Sequence, residues 1–179
     1  MEMLRDIAQL IVSTLGGLFT LALLLRAYLF WLHMPRSNQL SHFCVALTDW
    51  LVGPVRRLLP PMGRIDWSCW AAALLIAAAT QASFHLLAGY GSWQFFVPEV
   101  IALLVKRILD LVLVMVVVFA LVSTINPHAP LAPTLDVLTR PLLAPIRRVL
   151  PPVGGFDLSP MVVVLVVLIL IRVLEGIGL

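Results

Sequence analysis

The sequence predicts an all-α membrane protein with four transmembrane helices, and its composition is the first reason. Of its 179 residues, 61% are hydrophobic and only 12% are charged, and the mean hydropathy is +1.06. Soluble domains keep about a quarter of their residues charged to solvate their surface. This chain is therefore expected to have lipid as its solvent. Four long apolar stretches and an internal repeat are the other two reasons.

Each of the four apolar stretches approaches the roughly 20 residues that a helix needs to cross the hydrocarbon of a bilayer. They cover residues 10–32, 69–88, 100–125 and 161–177. Helix breakers follow the first three: His33-Met34-Pro35, Gly89-Tyr90-Gly91 and Asn126-Pro127. The first stretch exceeds the roughly 7–15 apolar residues of a secretory signal, and no small-residue cleavage site follows it. It is expected to be a retained span.

The basic residues are unevenly distributed among the loops. Both long loops are rich in arginine, whereas the connection between the second and third spans has no Lys or Arg up to Pro98. The positive-inside rule therefore predicts that both long loops are cytoplasmic and both termini outside. Arg5, Lys106 and Arg107 oppose this assignment. Because the basic residues lie in short loops rather than on a folded domain, a membrane surface is the expected partner and nucleic acid is not.

An internal repeat defines the domain organisation, because residues 47–68 align without a gap with residues 138–159. The motif comprises Pro54, Arg56, Arg57, Pro60, Pro61, Gly63, Asp66 and Ser68 in the first copy, and Pro145, Arg147, Arg148, Pro151, Pro152, Gly154, Asp157 and Ser159 in the second. Since two spans separate equivalent positions, the copies form a parallel repeat. We expect two domains, residues 1–90 and 91–179, each containing a span, a loop and a second span.

Upstream of each motif, large apolar residues recur at helical spacing with polar residues between them. They are Leu40, Phe43, Leu47 and Trp50 in the first copy, and Leu131, Leu135, Leu138 and Leu142 in the second. This pattern predicts an amphipathic helix in the plane of the membrane interface. Pro54 and Pro145 are expected to begin a separate short helical turn, which the Pro-Pro pair ends.

The arginines are the predicted binding residues of each loop. At an anionic surface each basic residue contributes about 1 kcal/mol, so these side chains are expected to bind anionic phospholipid headgroups or a partner. We expect Asp66 to pair with Arg56 or Arg57, and Asp157 with Arg147 or Arg148, because the Pro-Pro-x-Gly turn folds the chain back. Ser159 before Pro160 is typical of an N-cap, and the aspartates are the alternative caps.

Charged residues inside the spans are the usual indicators of transport. Lys106 and Asp110 are four residues apart, so they are expected to form an interfacial ion pair at the start of the third span. An ion pathway through Lys106, Asp110 and Gln81 is the alternative. Arg26 is expected to extend its side chain towards the interface.

No motif in the sequence points to catalysis. The four histidines and two cysteines lack metal-ligand or redox spacing, so no metal or other cofactor is expected. Phosphate-binding loops, nucleophile elbows and zinc-binding helix motifs are absent from the sequence. We therefore expect a protein that is not an enzyme.

The second copy resembles the YggT (also YlmG) family of bacterial and plastid membrane proteins. The resemblance lies in Asn126-Pro127 and in the run from Leu142 to Pro160, and the two-copy arrangement extends it over nearly the whole chain. The first copy departs from the pattern, with Pro35-Arg36 in place of Asn-Pro, Arg64 in place of Gly155, and Cys69 in place of Pro160.

This resemblance implies a multi-pass protein of the bacterial inner membrane, linked with tolerance of osmotic or extracytoplasmic stress, with membrane-complex assembly, or with cation homeostasis. We expect a structural or accessory protein whose partners are the phospholipid bilayer and a membrane protein or a second copy of the chain. A small channel or transport subunit is the alternative, and it requires an oligomer because four helices provide too little polar lining for a pore.

Overall fold

The computed structural model describes residues 2–35, 38–88, 93–126, 128–149 and 157–176. Their helices are α1 (Glu2–Trp31), α2 (Gln39–Leu58), α3 (Trp67–Ala88), α4 (Phe96–Ile125), α5 (Ala132–Val149) and α6 (Ser159–Gly176), with a short 3-10 helix at Trp93–Phe95. These ranges contain no β-strand. The predicted all-α class is confirmed.

Four helices are long and apolar enough to cross a membrane, one for each predicted span. The qualifying segments are Met3–Trp31, Trp67–Leu86, Trp93–Ile125 and Ser159–Gly176. The first begins at Met3 rather than at Leu10, and the third at Trp93 rather than at Val100. Apolarity marks only the part of a helix that prefers hydrocarbon, whereas its backbone hydrogen bonds continue through flanking polar residues.

The chain divides into two compact units, Met1–Ile108 and Leu109–Gly178. The first contains α1, α2, α3 and the beginning of α4, and the second contains the rest of α4, α5 and α6. These are units of packing. The division into residues 1–90 and 91–179, which concerns the sequence repeat, stays a prediction.

In the first unit α1 and α3 pack against each other, and α2 packs against both. Small side chains allow a close approach: a Cβ built on Gly16 of α1 would overlap the hydroxyl of Thr80 on α3. In the second unit α5 packs against α6. A buried cluster joins Val116 of α4, Leu143 of α5, and Val163 and Val167 of α6.

The inward faces of α2 and α5 share one register. Cys44, Thr48 and Val52 are buried on α2, and the residues 91 positions later, Leu135, Thr139 and Leu143, are buried on α5. The threonine hydroxyl donates to the carbonyl four residues earlier in both helices, at 2.6 and 2.8 Å. On the other side of α2, three of the predicted apolar residues, Phe43, Leu47 and Trp50, are exposed.

The prediction of a separate helical turn at Pro54 and Pro145 was wrong, because both prolines lie inside continuous helices. Proline costs a helix one backbone donor and crowds the preceding residue. Gly53 has no Cβ and relieves that crowding at Pro54. The amphipathic segment and the two arginines of each motif therefore belong to one helix, with the arginines in its last turn.

The predicted ends of α1 and α2 are confirmed, whereas the predicted stop at Gly89-Tyr90-Gly91 lies outside the described residues. α1 ends in a Schellman motif, in which His33 is left-handed (φ 55°) and the Met34 N–H donates to the Leu29 carbonyl at 3.1 Å. α2 ends at Leu58, and Leu59, which leaves the helical region (φ −126°, ψ 87°) before Pro60, still donates its N–H to the Val55 carbonyl.

Candidate functional site

The loop that follows α2 reverses direction in a tight turn. Met62 and Ile65 exchange two backbone hydrogen bonds of 3.1 and 3.2 Å around Gly63 and Arg64. Gly63 has a φ of +60°, which the first central position of a type II′ turn requires and which glycine adopts without steric cost. This turn returns the chain to the end of α2, where Asp66 begins the approach to α3.

The returning aspartate is buried against an arginine of α2. Arg56 Nη2 lies 2.5 Å from Asp66 Oδ2, and the other carboxylate oxygen accepts a hydrogen bond from the Ser68 hydroxyl. Asp66 is only 1% exposed and Ser68 is fully buried. Arg56 Nε also donates to Ser68, at 3.4 Å. We call this group of Arg56, Asp66 and Ser68 the first latch, because it fastens the end of α2 to the start of α3.

The second unit contains the equivalent latch, Arg147, Asp157 and Ser159. Arg147 donates from Nη2 and Nε to Asp157 Oδ2, at 2.7 and 2.8 Å. Asp157 is 29% exposed, so it is the wetter of the two aspartates. The Arg147 guanidinium also lies over the Phe119 ring, 5.8 Å from its centroid. The predicted pairing is therefore confirmed in both copies, with the first arginine of each Arg-Arg pair as the partner.

Asp66 is the N-cap residue of α3, whereas the N-cap position of α6 is Leu158, whose carbonyl accepts from the Val162 N–H at 3.3 Å. The predicted cap, the Ser159 hydroxyl, has no hydrogen-bond partner among the described residues. The Asp66 carbonyl accepts from the Trp70 N–H at 3.3 Å, as an N-cap residue does. Asp157 Oδ1 accepts from the Ser159 N–H at 2.9 Å, at the first residue of α6. Of the remaining motif residues, Pro151, Pro152 and Gly154 lie outside the described residues.

Both latch aspartates are held in the charged form. Burial alone would raise the pKa of Asp66, but the Ser68 hydroxyl and the Arg56 charge outweigh it and lower the pKa below its usual range. The pKa of Asp157 is lowered in the same way, by Ser159 and Arg147 against the opposing effect of burial.

A further polar contact in the first unit, between α1 and α2, was not predicted from the sequence. Arg26 of α1 is 7% exposed and donates to Thr48 Oγ1 and Asp49 Oδ1 of α2, both at 2.9 Å. The expectation that Arg26 extends to the interface was therefore wrong, because a buried guanidinium is stabilised by partners and not by water. No periodic pattern relates residues on two different helices, so this pair could not be predicted from the sequence.

The residues of the predicted ion pathway lie in different surroundings. Gln81 donates to Glu99 Oε2 at 2.7 Å, and His85 Nε2 lies 2.6 Å from the same oxygen. Neither Glu99 nor His85 was a predicted site residue. α4 begins at Phe96, so Lys106 stands about three turns inside the helix rather than at its start. Lys106 and Asp110 both have interaction partners.

Asn126 lies in the turn after α4, and the two cysteines lie in the first unit. Asn126 Oδ1 accepts from the His128 N–H at 3.2 Å, which forms the turn after α4. Cys44 and Cys69 are free and buried, and burial raises the pKa of the Cys44 thiol to about 11 against the lowering effect of Arg26. Within the described residues, no three His, Cys, Asp or Glu side chains are placed to hold a metal ion.

The fold and the site define a class: an all-α protein with four helices long and apolar enough to cross a membrane, and with an arginine–aspartate latch in each unit. The chain belongs to the CCB3/YggT family, whose profile matches residues 6–87 and again residues 98–178. The two matches include both latches, which is consistent with the internal repeat.

Similar proteins occur in several bacteria. The uncharacterized protein YggT of Escherichia coli K12 is 36% identical over 165 residues, which cover 89% of this chain and 85% of that protein. An uncharacterized protein of Pseudomonas aeruginosa is 34% identical over 88% of this chain and 82% of its own length. One of Haemophilus influenzae is 32% identical, with coverage of 90% and 87%. No solved structure significantly matches the chain.

Proposed function

We propose that this chain is a non-enzymatic protein of the bacterial inner membrane, and that it acts as a structural or accessory factor in osmotic or extracytoplasmic stress or in membrane-complex assembly. In this proposal the chain forms two parallel hairpin repeats with α2 and α5 at the cytoplasmic interface and both termini outside. The observation that carries it is the latch, which recurs at equivalent positions of both units.

The chemistry of the latch supports a structural role. Each carboxylate accepts hydrogen bonds from an arginine and from a serine, so its acceptor capacity is used within the fold. An aspartate that is held charged with its oxygens occupied is a poor general base or nucleophile. Such an aspartate suits a structural role, because removing one partner of a buried ion pair leaves the other charge uncompensated and destabilises the fold.

The surface around each latch supports membrane attachment. The exposed face of α2 carries Phe43, Leu47 and Trp50, which suits contact with lipid tails. Among the described residues neither Arg57 nor Arg148 has an ion-pair partner, and each follows a latch arginine directly. We infer that the two arginines of each pair have different roles. Arg56 and Arg147 stabilise the fold, whereas Arg57 and Arg148 bind anionic headgroups or a partner.

Complementation of a strain that lacks the gene tests this division. Under osmotic upshift, Arg56→Gln with Arg147→Gln should lower the abundance of the protein and abolish growth rescue. Arg57→Gln with Arg148→Gln, the matched control for fold, should keep normal abundance but lose rescue. Full rescue by both double variants, or growth of the deletion strain equal to the parent, would refute the proposed role.

The orientation has its own test. Cys44 and Cys69 are buried, so a cysteine introduced at an exposed site provides the main labelling signal. An impermeant thiol reagent should label Gln94→Cys in whole cells, and Arg64→Cys only after the cells are permeabilised. The reverse pattern would place the latches outside.

A small oligomeric channel or transport subunit for cation homeostasis is the second candidate. The observation that favours it is the contact of Gln81 and His85 with Glu99 in helices apolar enough to span a membrane, where ionisable groups are costly. Purified chain in liposomes should then conduct cations, and Asp110→Asn or Glu99→Gln should abolish the flux. Flux at the level of empty liposomes would exclude this candidate.

A further inference from the structure

A cavity of about 270 Å³ lies in the first unit between the Arg26 contact and the first latch. Its polar lining consists of Arg26, Ser41, Asp49, Arg56 and Asp66. Its apolar lining consists of Leu29, Phe30, Met34 and Val45. Ligand pockets begin at about 300 Å³, so the space suits a polar headgroup rather than a whole amphiphile.

One hydroxyl in this lining is unpartnered within the part of the chain that the structure describes. Ser41 is 7% exposed, and its buried Oγ has no hydrogen-bond partner among the described residues. A buried polar atom without a partner costs free energy, and native proteins seldom leave one unsatisfied. This unpartnered hydroxyl is available to a ligand with polar atoms in the cavity.

The charges of the lining restrict the ligand. Arg26 pairs with Asp49, and Arg56 pairs with Asp66, so the two positive charges are already balanced by two negative ones. A ligand with a single charge of either sign would therefore leave the cavity with an uncompensated charge. A zwitterion can place its anionic group beside a guanidinium and its cationic group beside a carboxylate.

The groups that can meet such a ligand differ in accessibility. Asp66 is 1% exposed and satisfied by the latch, whereas the Asp49 side chain is 61% exposed and the Arg56 side chain 32%. Asp49 can thus accept N–H donors from a cationic group, and the Ser41 hydroxyl can donate to a phosphate oxygen. The apolar lining suits the glycerol end of a lipid.

We propose that this cavity binds the headgroup of a zwitterionic phospholipid with a primary ammonium group, of the phosphatidylethanolamine class. The ammonium donates to Asp49, and the Ser41 hydroxyl donates to a phosphate oxygen on the Arg26 side of the cavity. The proposal rests on the membrane placement in the proposed function but not on the role in stress. It assigns one site to each chain, because the counterparts of Arg26, Ser41 and Asp49 in the second copy are Val117, Ala132 and Arg140.

The test is lipid retention by the purified full chain in detergent, measured by native mass spectrometry with added phosphatidylethanolamine, phosphatidylcholine or phosphatidylglycerol. We expect one retained phosphatidylethanolamine per chain. Phosphatidylcholine, which has no ammonium N–H, should bind about tenfold or more weakly, because hydrogen bonds to charged groups are lost. Glycerophosphoethanolamine, the free headgroup, distinguishes binding of the headgroup from binding of the whole lipid: if it competes, the headgroup alone is recognised. Equal retention of all three lipids would overturn the proposal.

Variants separate binding from folding. Ser41→Ala removes a hydroxyl that forms no hydrogen bond with any described residue, so it should leave the unfolding midpoint unchanged and weaken retention severalfold. Asp49→Asn should abolish the preference for phosphatidylethanolamine over phosphatidylcholine. The matched control is Asp136→Asn, which changes an aspartate in the lining of the cavity of about 320 Å³ in the second unit and should leave retention unchanged. Unchanged retention in Ser41→Ala would overturn the site even if Asp49→Asn fails to fold. Failure of this test with intact stress rescue would refute the lipid site alone.

Discussion

Replacing Asp66 by asparagine is the sharpest perturbation of the latch. Asparagine has nearly the same shape and is an equally good N-cap residue, so the substitution isolates the loss of charge. Asp157→Asn makes the same change in the second unit. The two latches share the arginine–aspartate pair and differ in exposure, with Asp66 at 1% and Asp157 at 29%. The serine donates through its hydroxyl in the first latch and through its backbone N–H in the second. The pair of variants therefore measures what burial adds to one interaction.

The expected magnitudes follow from that difference. Breaking a buried ion pair costs about 3–5 kcal/mol, and a hydrogen bond to a charged group contributes about 1.5–3 kcal/mol. Since the Arg56 side chain is 32% exposed and can still reach water, we place Asp66→Asn near the lower limit, at about 3 kcal/mol. For Asp157→Asn we expect about 1–1.5 kcal/mol, because both partners are partly solvated and Arg147 keeps its contact with Phe119.

The assay is unfolding of the full chain in detergent micelles, followed by far-ultraviolet circular dichroism and tryptophan fluorescence. All five tryptophans lie in the first unit, so fluorescence reports on the unit that contains Asp66. A double-mutant cycle with Arg56→Gln should give a coupling free energy of at least about 1 kcal/mol. Arg57→Gln is the control and should stay within about 0.5 kcal/mol of the unmodified chain. A cost for Asp66→Asn no larger than that for Asp157→Asn would refute the reasoning from burial.

Three further predictions concern pH and backbone packing. Because the folded state lowers the pKa of Asp66, its stabilisation is complete above about pH 5 and is lost as the pH falls through that lowered pKa. The unfolding midpoint should therefore drop on acidification to about pH 3, and drop less in Asp66→Asn; equal drops would contradict the assignment. Gly63→Ala should cost about 1–2 kcal/mol by its φ of +60°, measured in the same assay, and an unchanged midpoint would exclude the turn described above. Gly16→Ala should destabilise the first unit, because the new Cβ would force the Thr80 hydroxyl aside. Gly17→Ala is the control and should cost less, because its Cβ would meet only the flexible end of an arginine side chain. A larger loss of stability in Gly17→Ala than in Gly16→Ala would refute the close approach of α1 to α3.

The sequence predicted the latch because its partners are near in the chain. In the first copy the turn at Gly63 returns the chain over a few residues. In both copies the paired arginine and aspartate are only ten positions apart, so they have few alternatives to each other. The four apolar helices were predictable for a similar reason, since apolarity is a property of a continuous segment. In both cases the decisive information is local.

The features that were missed depend on tertiary context. The separate turn at Pro54 was wrong because packing of α2 against α1 and α3 outweighs the local cost of a proline. The Arg26–Asp49 pair joins two helices, and the contact of His85 with Glu99 joins α3 to α4. Charge alone does not choose among distant partners, so pairs of this kind become visible only when the helices are packed.

Differences between the two copies carry information that their similarities do not. Arg56 and Arg147 form equivalent ion pairs, so the latch is common to both copies. Arg26 and Asp49 have no charged pair as their counterpart in the second copy, where Val117 and Arg140 stand. A buried guanidinium that one copy folds without is costly and is not required by the architecture. A role in binding is the best explanation for the presence of Arg26. We therefore expect the ligand specificity of this chain to lie in the first copy, which departs further from the family pattern.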